Sequence, residues 1–435
     1  MQLIECESHQ LIMDLIRKSS GASRSHFQRG RFLSALLAGA WRAVPTVPSL
    51  TEAKLTEIAP LLCQTGSAAL GWWRITNSEL AASPAGQELH EAYRKFRLSA
   101  LIHEREIAYI FSLLRDAGIE PVLVKGWAIA RLYPDRGLRP YGDIDICVRP
   151  DRFAKAEQAL KCLESLDGHY VDLHSGFAKL ELWYGRPARG LHHGQDAHAT
   201  LLWDKLFERS QLVSLGEERI RVLGGEDHLR ILCLHLLRSG AWRPLWLCDV
   251  AVALETLAAD FDWERCLGND PKIAEWVACT IGLAQQLLGA RSADIPVRLS
   301  AQREAPRWLA PAILRQWNRS LNPHAIEPAL PALLAQTLEA RKFFAEIYVR
   351  WDQPVRATVA MRGRFNNWPR WPYQLGELLL HTSEVPKQLA SMIVRRINEL
   401  NSWWQRHRIG IGKEEARPRR RRIRSAWFLR TGARE

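Results

Sequence analysis

Lys125-Gly126, followed by Asp143-Ile144-Asp145, puts a lysine, a glycine turn and two carboxylates within one short stretch of chain. Two neighbouring carboxylates hold a divalent cation, and a lysine beside a glycine turn offers a point charge to phosphate, so the chemistry expected is metal-dependent nucleotidyl transfer. Pro121-Val122-Leu123-Val124 is a short apolar run ending in a turn residue, which predicts a buried strand entering a phosphate-facing loop. Gly126 then lets the backbone approach a ligand closely. Downstream, Asp143, Asp145 and Cys147 alternate with Ile144, Ile146 and Val148, so a strand there sends both aspartates to one face. Residues two apart on a strand lie roughly 6.5 Å apart, a span that metal ions about 3.5 to 4 Å apart can bridge. Asp-x-Asp by itself also occurs in turns and helix caps. Inside an aliphatic strand, two such carboxylates would repel each other and lose solvation unless a cation offset both effects.

Several elements must position these residues. The charged, amphipathic segment from Gln87 to Asp116 ends near Gly118, a reasonable C-cap position, and is predicted as a long helix against the sheet. Residues 1 to about 87 carry helical patterns broken by Gly21, the Pro45 to Pro48 segment, Gly66 and Pro84. After the aspartates, Pro150-Asp151 opens a helix with Phe153, Ala156, Leu160, Leu163 and Leu166 at helical spacing. Strand candidates follow at Tyr170 to Leu173, Lys179 to Tyr184 and Asp196 to Leu202. This order predicts an α+β fold, a small mixed sheet with helices on one side. From Glu226 onward Leu229, Leu232, Leu236 and Leu237, then Leu247 to Leu257, repeat at helical spacing, and no repeat of fixed period appears. The expected organisation is a helical N-terminal region (1–87), a catalytic core (88–215), a helical domain packing on that core (216–330), a helical C-terminal region (331–416) and a basic tail (417–435).

The run from Val122 to Val148 contains Lys-Gly-Trp-Ala, Tyr133-Pro134, Arg139, Gly142 and Asp-Ile-Asp. It resembles the uncharacterised nucleotidyltransferase family of the polymerase-beta-like superfamily. The resemblance extends over roughly residues 90 to 260. Gln195-Asp196-Ala197-His198 resembles the family's acidic-x-His strand, and Glu226-Asp227-His228-Leu229 through Leu234-His235, Trp242, Leu245-Trp246-Leu247 and Asp249 resemble its following helical segment. One departure is Trp127, where the superfamily carries a small residue, so that position has no hydroxyl or amide for the phosphates. The resemblance implies transfer of a nucleoside monophosphate from an NTP, with Mg2+ or Mn2+, to an acceptor hydroxyl or phosphate on a small molecule, a protein or RNA. Asp143 and Asp145 are then metal ligands, and Asp196 is the third carboxylate, binding the second metal and acting as or positioning the base. Asp172 competes for that role, since Val171-Asp172-Leu173-His174 copies the acidic-x-His pattern. Lys125 and Gly126 face the triphosphate. Arg139 either contacts the γ-phosphate or pairs with a site carboxylate, and His198 either orients Asp196 or sits in the core.

Composition bounds the rest. With 435 residues the chain can bury a sizeable core and hold two or three domains. Eight scattered cysteines without Cys-x-x-Cys spacing lie mostly within apolar runs and are expected as reduced core thiols of a cytoplasmic protein. No segment has the order of a secretory signal or the roughly 20 apolar residues of a membrane span. His192, His193, Asp196 and His198 are loosely spaced for zinc and have no cysteine near. A P-loop and a Gly-x-Ser-x-Gly elbow are both missing from the sequence. Eighteen tryptophans are dispersed, often beside Arg or Pro, and suit helix packing or an aromatic groove for a base. Much of the net charge of +13 sits in the tail, where Arg417, Arg419 to Arg422 and Arg424 precede Trp427-Phe428-Leu429. That tail is either a solvated segment or an arm for nucleic-acid phosphates or anionic membrane headgroups. A non-catalytic nucleotide-binding or nucleic-acid-binding protein on the same fold is the competing function.

Overall fold

Period-two and helical patterning along the chain resolve into one mixed five-stranded sheet and a larger set of helices. A computed structural model describes residues 25–161, 171–177, 192–292, 305–318 and 353–377, with the side chains of 192–198 outside that description. All of these belong to the unit Met1–Leu380. Helix α1 covers residues 25–37, followed by α2 (Glu52–Gln64), α3 (Ala68–Ile75) and the long α4 (Pro84–Asp116).

The sequence explains the limits of α4. Ser83 caps its start by accepting from the Gly86 amide, and Pro84 takes the first turn, where no backbone donor is needed. It ends where Gly118 adopts a φ of 70°, which lets the Ile119 amide return to the Leu114 carbonyl at 2.9 Å.

Strand β1 (Val122–Val124) leads through α5 (Gly126–Ala130) to β2 (Ile144–Val148), then α6 (Phe153–Leu160) and β3 (Val171–Ser175). Helix α7 (His192–Glu208) and the hairpin β4 (Gln211–Leu215) and β5 (Glu218–Val222) complete the core. The strand order is β3-β2-β1-β5-β4. β1 and β2 are antiparallel, with Val124 opposite Asp145, whereas β2 and β3 are parallel, with Asp145 in register with Asp172.

Alternation in β2 assigns its two faces. Ile144, Ile146 and Val148 pack with Ile107, Ile110, Phe111 and Leu114 of α4 and with Ala156 and Leu160 of α6. Cys147 points the other way, into a smaller cluster of Val122, Val124, Phe177, Trp203, Leu206 and Ile231. Helices α4 and α6 thus cover one face as expected, and residues of α7 cover part of the second. The strand expected over Asp196 to Leu202 is a correction: those residues lie in α7. Apolar Leu201, Leu202, Trp203 and Leu206 follow a helical period that the short window of a strand pattern concealed. The strand expected at Lys179 to Tyr184, and the helical positions Leu163 and Leu166, lie outside the described residues.

The remaining helices are α8 (Gly225–Arg238), α9 (Pro244–Glu255), α10 (Trp263–Leu267), α11 (Pro271–Leu288), α12 (Leu309–Gln316) and α13 (Pro354–Ala360). They share a single core with the N-terminal helices: Leu33, Leu36, Leu62 and Leu70 join Leu229, Leu236, Leu247, Trp276, Ile313 and Trp317. Among the described residues no helix is long and apolar enough to cross a membrane. Cysteines 63, 147, 233, 248, 266 and 279 are free thiols, most of them buried. The basic tail lies outside the described residues.

Candidate active site

β1 delivers Lys125 into a strained turn. Lys125 has φ 55° and ψ −142°, a region disfavoured for a residue with a Cβ, and Gly126 follows at φ 36°. A Cβ on Gly126 would lie 3.4 Å from the Asp143 carbonyl and 3.7 Å from the Tyr141 ring, so glycine lets the two loops run close together. Such strain persists only where surrounding contacts overdetermine it, and it clusters at functional sites. Trp127 then turns its side chain into the core beneath the sheet, 6% exposed, and packs with Leu123 and Ile144. The tryptophan that departs from the superfamily pattern is therefore a packing residue.

At the centre of the site Asp145, only 2% exposed, accepts from Lys125 Nζ at 2.7 Å and contacts His174 Nε2 at 3.0 Å, both through Oδ1. His174 Nε2 also lies 3.3 Å from Asp172 Oδ2. The register makes this inevitable. Asp145 and Cys147 of β2 pair with Asp172 and His174 of the parallel β3, so all four side chains leave the sheet on one face. Burial opposes the charge on Asp145, but the hydrogen bond from His174 and the Lys125 ammonium outweigh it and hold the carboxyl below its usual range. Burial, with Asp145 next to it, pushes the Cys147 thiol well up, so that cysteine stays protonated.

This donor set fits a divalent cation. Asp145, Asp172 and His174 each offer a ligand atom, all within 4.8 Å of one another. Asp172 is half exposed, and His174 Nδ1 is a buried nitrogen without a hydrogen-bond partner among the described residues. Two carboxylates and one imidazole suit Mg2+ or Mn2+, with the nitrogen tilting the set towards the latter. Asp143 stands exposed one residue before β2 begins, where the sequence pattern placed it within the strand.

Arg139 is committed elsewhere. It grips Asp249 of α9, with Nη2 to Oδ2 at 2.8 Å and Nε to both oxygens at 3.2 and 3.3 Å, and Tyr133 Oη donates to the same carboxylate at 2.9 Å. Arg139 and Asp249 are both buried, and the carboxylate that Arg139 pairs with belongs to the helical segment, not to the Asp145–Asp172 cluster. That cluster ties the loop before β2 to the helical segment. His235 of α8 stacks edge-on against Trp246 at 4.6 Å. Burial and the nearby cations Lys125 and Arg238 push His235 well below the usual histidine range, which keeps it neutral beside the site.

Asp196 stands on α7 rather than on a strand beside β2, and its side chain, with those of His192, His193 and His198, lies outside the described residues. The sequence underweighted Asp172 and His174. The Asp-x-His spacing was visible, but only the pairing of β3 with β2 sets it opposite Asp145. Asp249 was visible as part of the family pattern, and its role as the partner of Arg139 was not.

The mixed sheet with a lysine-glycine turn and an acidic cluster on adjacent strands is a nucleotidyltransferase-type core within a mostly helical α+β chain. Residues 51–289, more than half of the 435, match the model of an uncharacterised nucleotidyltransferase family, and the chain belongs to that family. No curated protein and no solved structure matches it.

Proposed function

We propose that the protein transfers a nucleoside monophosphate from an NTP to an acceptor hydroxyl or phosphate, using Mg2+ or Mn2+ held by Asp143, Asp145 and a third carboxylate. The observation that carries this reading is the buried Asp145 flanked by Lys125 at 2.7 Å and by the Asp172–His174 pair on the neighbouring strand. Membership of the family supports the reaction class. For the third carboxylate the geometry favours Asp172 over Asp196, because β3 is in register with β2 whereas Asp196 belongs to α7.

In the reaction an acceptor oxygen bonds to the α-phosphorus as the bond to pyrophosphate breaks, and the acceptor proton leaves. A bound divalent ion supplies charge neutralisation for the phosphates and lowers the pKa of the acceptor. The remaining work falls to the chain. Asp172, half exposed, is suited to take the proton; buried Asp145 is suited to stay ionised. Lys125, paired with Asp145, is a point charge for which a triphosphate would compete. The helical region after residue 216 is where acceptor selection is expected.

The test is pyrophosphate release from each labelled NTP with Mg2+ or Mn2+ and a panel of acceptors. Release that vanishes in Asp145→Asn and with EDTA supports the reading. Nucleotide binding without pyrophosphate under every acceptor condition would instead favour a non-catalytic nucleotide-binding protein.

A further inference from the structure

Three cations of this region sit in different electrostatic situations. Lys125 is paired with Asp145 and Arg139 with Asp249. Arg243, in the turn between α8 and α9, has no carboxylate within ion-pair reach among the described residues, yet it is held firmly. Its Nε donates to the Thr65 carbonyl at 2.6 Å, and its guanidinium carbon lies 5.8 Å from the centre of the Trp246 ring. A Cβ built on Gly66 would fall 2.2 Å from Nη2, so glycine at this position, with φ 71°, leaves the space the guanidinium fills. The turn itself is strained: Gly240 has φ 71° and Ala241 φ 55°, and Trp317 Nε1 fixes the Ala241 carbonyl at 3.0 Å.

The guanidinium also feels the charged groups around the site. Arg243 lies within electrostatic range of Arg139, Asp249 and Asp143, and burial together with the adjacent Arg139 lowers its pKa to about 10. The ring beneath it, Trp246, touches His235, which feels Lys125 and Asp145. Thr65 occupies Nε alone, and among the described residues Nη1 and Nη2 have no acceptor. A mostly buried guanidinium whose Nη1 and Nη2 are uncommitted among the described residues, within electrostatic range of another arginine and an exposed aspartate, is arranged for a polyanion.

We infer that Arg243 is the arginine that grips the triphosphate of the nucleotide, the role that Arg139 cannot fill because Asp249 occupies it. This rests on the nucleotidyl-transfer reading for the identity of the anion, and it means that the far end of the phosphate site is built by the helical segment and seated on the N-terminal helices. The competing explanation is that Arg243 only caps the C-terminal end of α2 at Thr65.

The experiment measures binding of a non-hydrolysable NTP, of the matching NMP and of inorganic tripolyphosphate to the full chain by calorimetry, in wild type, Arg243→Gln and Arg243→Lys. Thermal unfolding of each variant is recorded alongside. We expect Arg243→Gln to weaken NTP and tripolyphosphate by about 10- to 100-fold while NMP affinity is unchanged, with Arg243→Lys in between. Unchanged NTP and tripolyphosphate affinity in Arg243→Gln, or a lowered unfolding midpoint with intact affinity, overturns the inference and leaves nucleotidyl transfer standing. Tripolyphosphate binding that depends on Arg243 without any NTP binding keeps the anion site and sinks the nucleotide reading. If wild type binds neither, both fall. Should Arg243→Gln fail to fold, Arg243→Lys decides by the same ratio of NTP to NMP affinity.

Discussion

At the scale of residues, the site is a competition for one carboxylate oxygen. Asp145 Oδ1 serves both Lys125 and His174, while Asp172 approaches the same imidazole from the adjacent strand. If Asp172 is the third acid, Asp172→Asn should lower pyrophosphate release on the order of 100-fold or more, as loss of one electrostatic partner of a transition state does. Asp196→Asn should leave most activity. The reverse pattern in the same assay would return the role to Asp196. The closeness of Lys125 to Asp145 was legible from residue type and spacing, whereas Asp143, expected within the same strand, stands exposed before it begins. Which of the two similar Asp-x-His patterns stands in register with Asp145 was not legible, since they look alike until strand pairing separates them.

At the scale of elements, the Arg139–Asp249 pair joins the loop before β2 to α9. Removing one member leaves the other buried without a counter-charge, so Arg139→Met should destabilise by about 3 to 5 kcal/mol in urea unfolding, and adding Asp249→Leu should recover much of that. A double variant no more stable than the single one would show that the pair is not the link. Helix α8 contributes a second expectation through His228, which is buried, with an Nε2 unpartnered among the described residues and a pKa lowered by burial and nearby Arg131 to about 4. A lowered folded value means that the unfolded chain binds the extra proton first. Stability from this group is therefore complete above about pH 6.5 and falls as the pH drops towards 4, by about 3 kcal/mol. His228→Gln should flatten that part of the stability-versus-pH curve. An unchanged slope between pH 6.5 and 4 would show that another group carries it.

At the scale of the whole unit, the N-terminal helices and the helices after Glu226 share one core, which Ile129, Tyr133 and Leu138 of the segment between β1 and β2 also join. Leu36 is fully buried in that core. Leu36→Ala should cost about 2 to 5 kcal/mol, and near-ultraviolet dichroism and far-ultraviolet dichroism should lose signal at one common midpoint. Two separated midpoints would instead indicate that the helical and sheet parts unfold independently. Long-range packing of this sort was invisible beforehand: helical periodicity shows that a segment has an apolar stripe, not which distant stripe covers it.

What the amino-acid order determined by itself is local. Alternation around Asp145 assigned a strand and its faces, the amphipathic run from Gln87 with Gly118 behind it marked the long helix, and Lys125-Gly126 marked a turn near a charge site. These follow from backbone sterics and side-chain period, which act over a few residues. Tertiary structure alone decided three matters. It decided that Asp172 rather than Asp196 lies in register with Asp145, that Arg139 is already matched by Asp249, and that Arg243 has no carboxylate partner among the described residues while seated on Thr65, 178 residues away. Each depends on which charges meet across long loops, and the energy of a charge is set by its neighbours in space, whatever their distance along the chain.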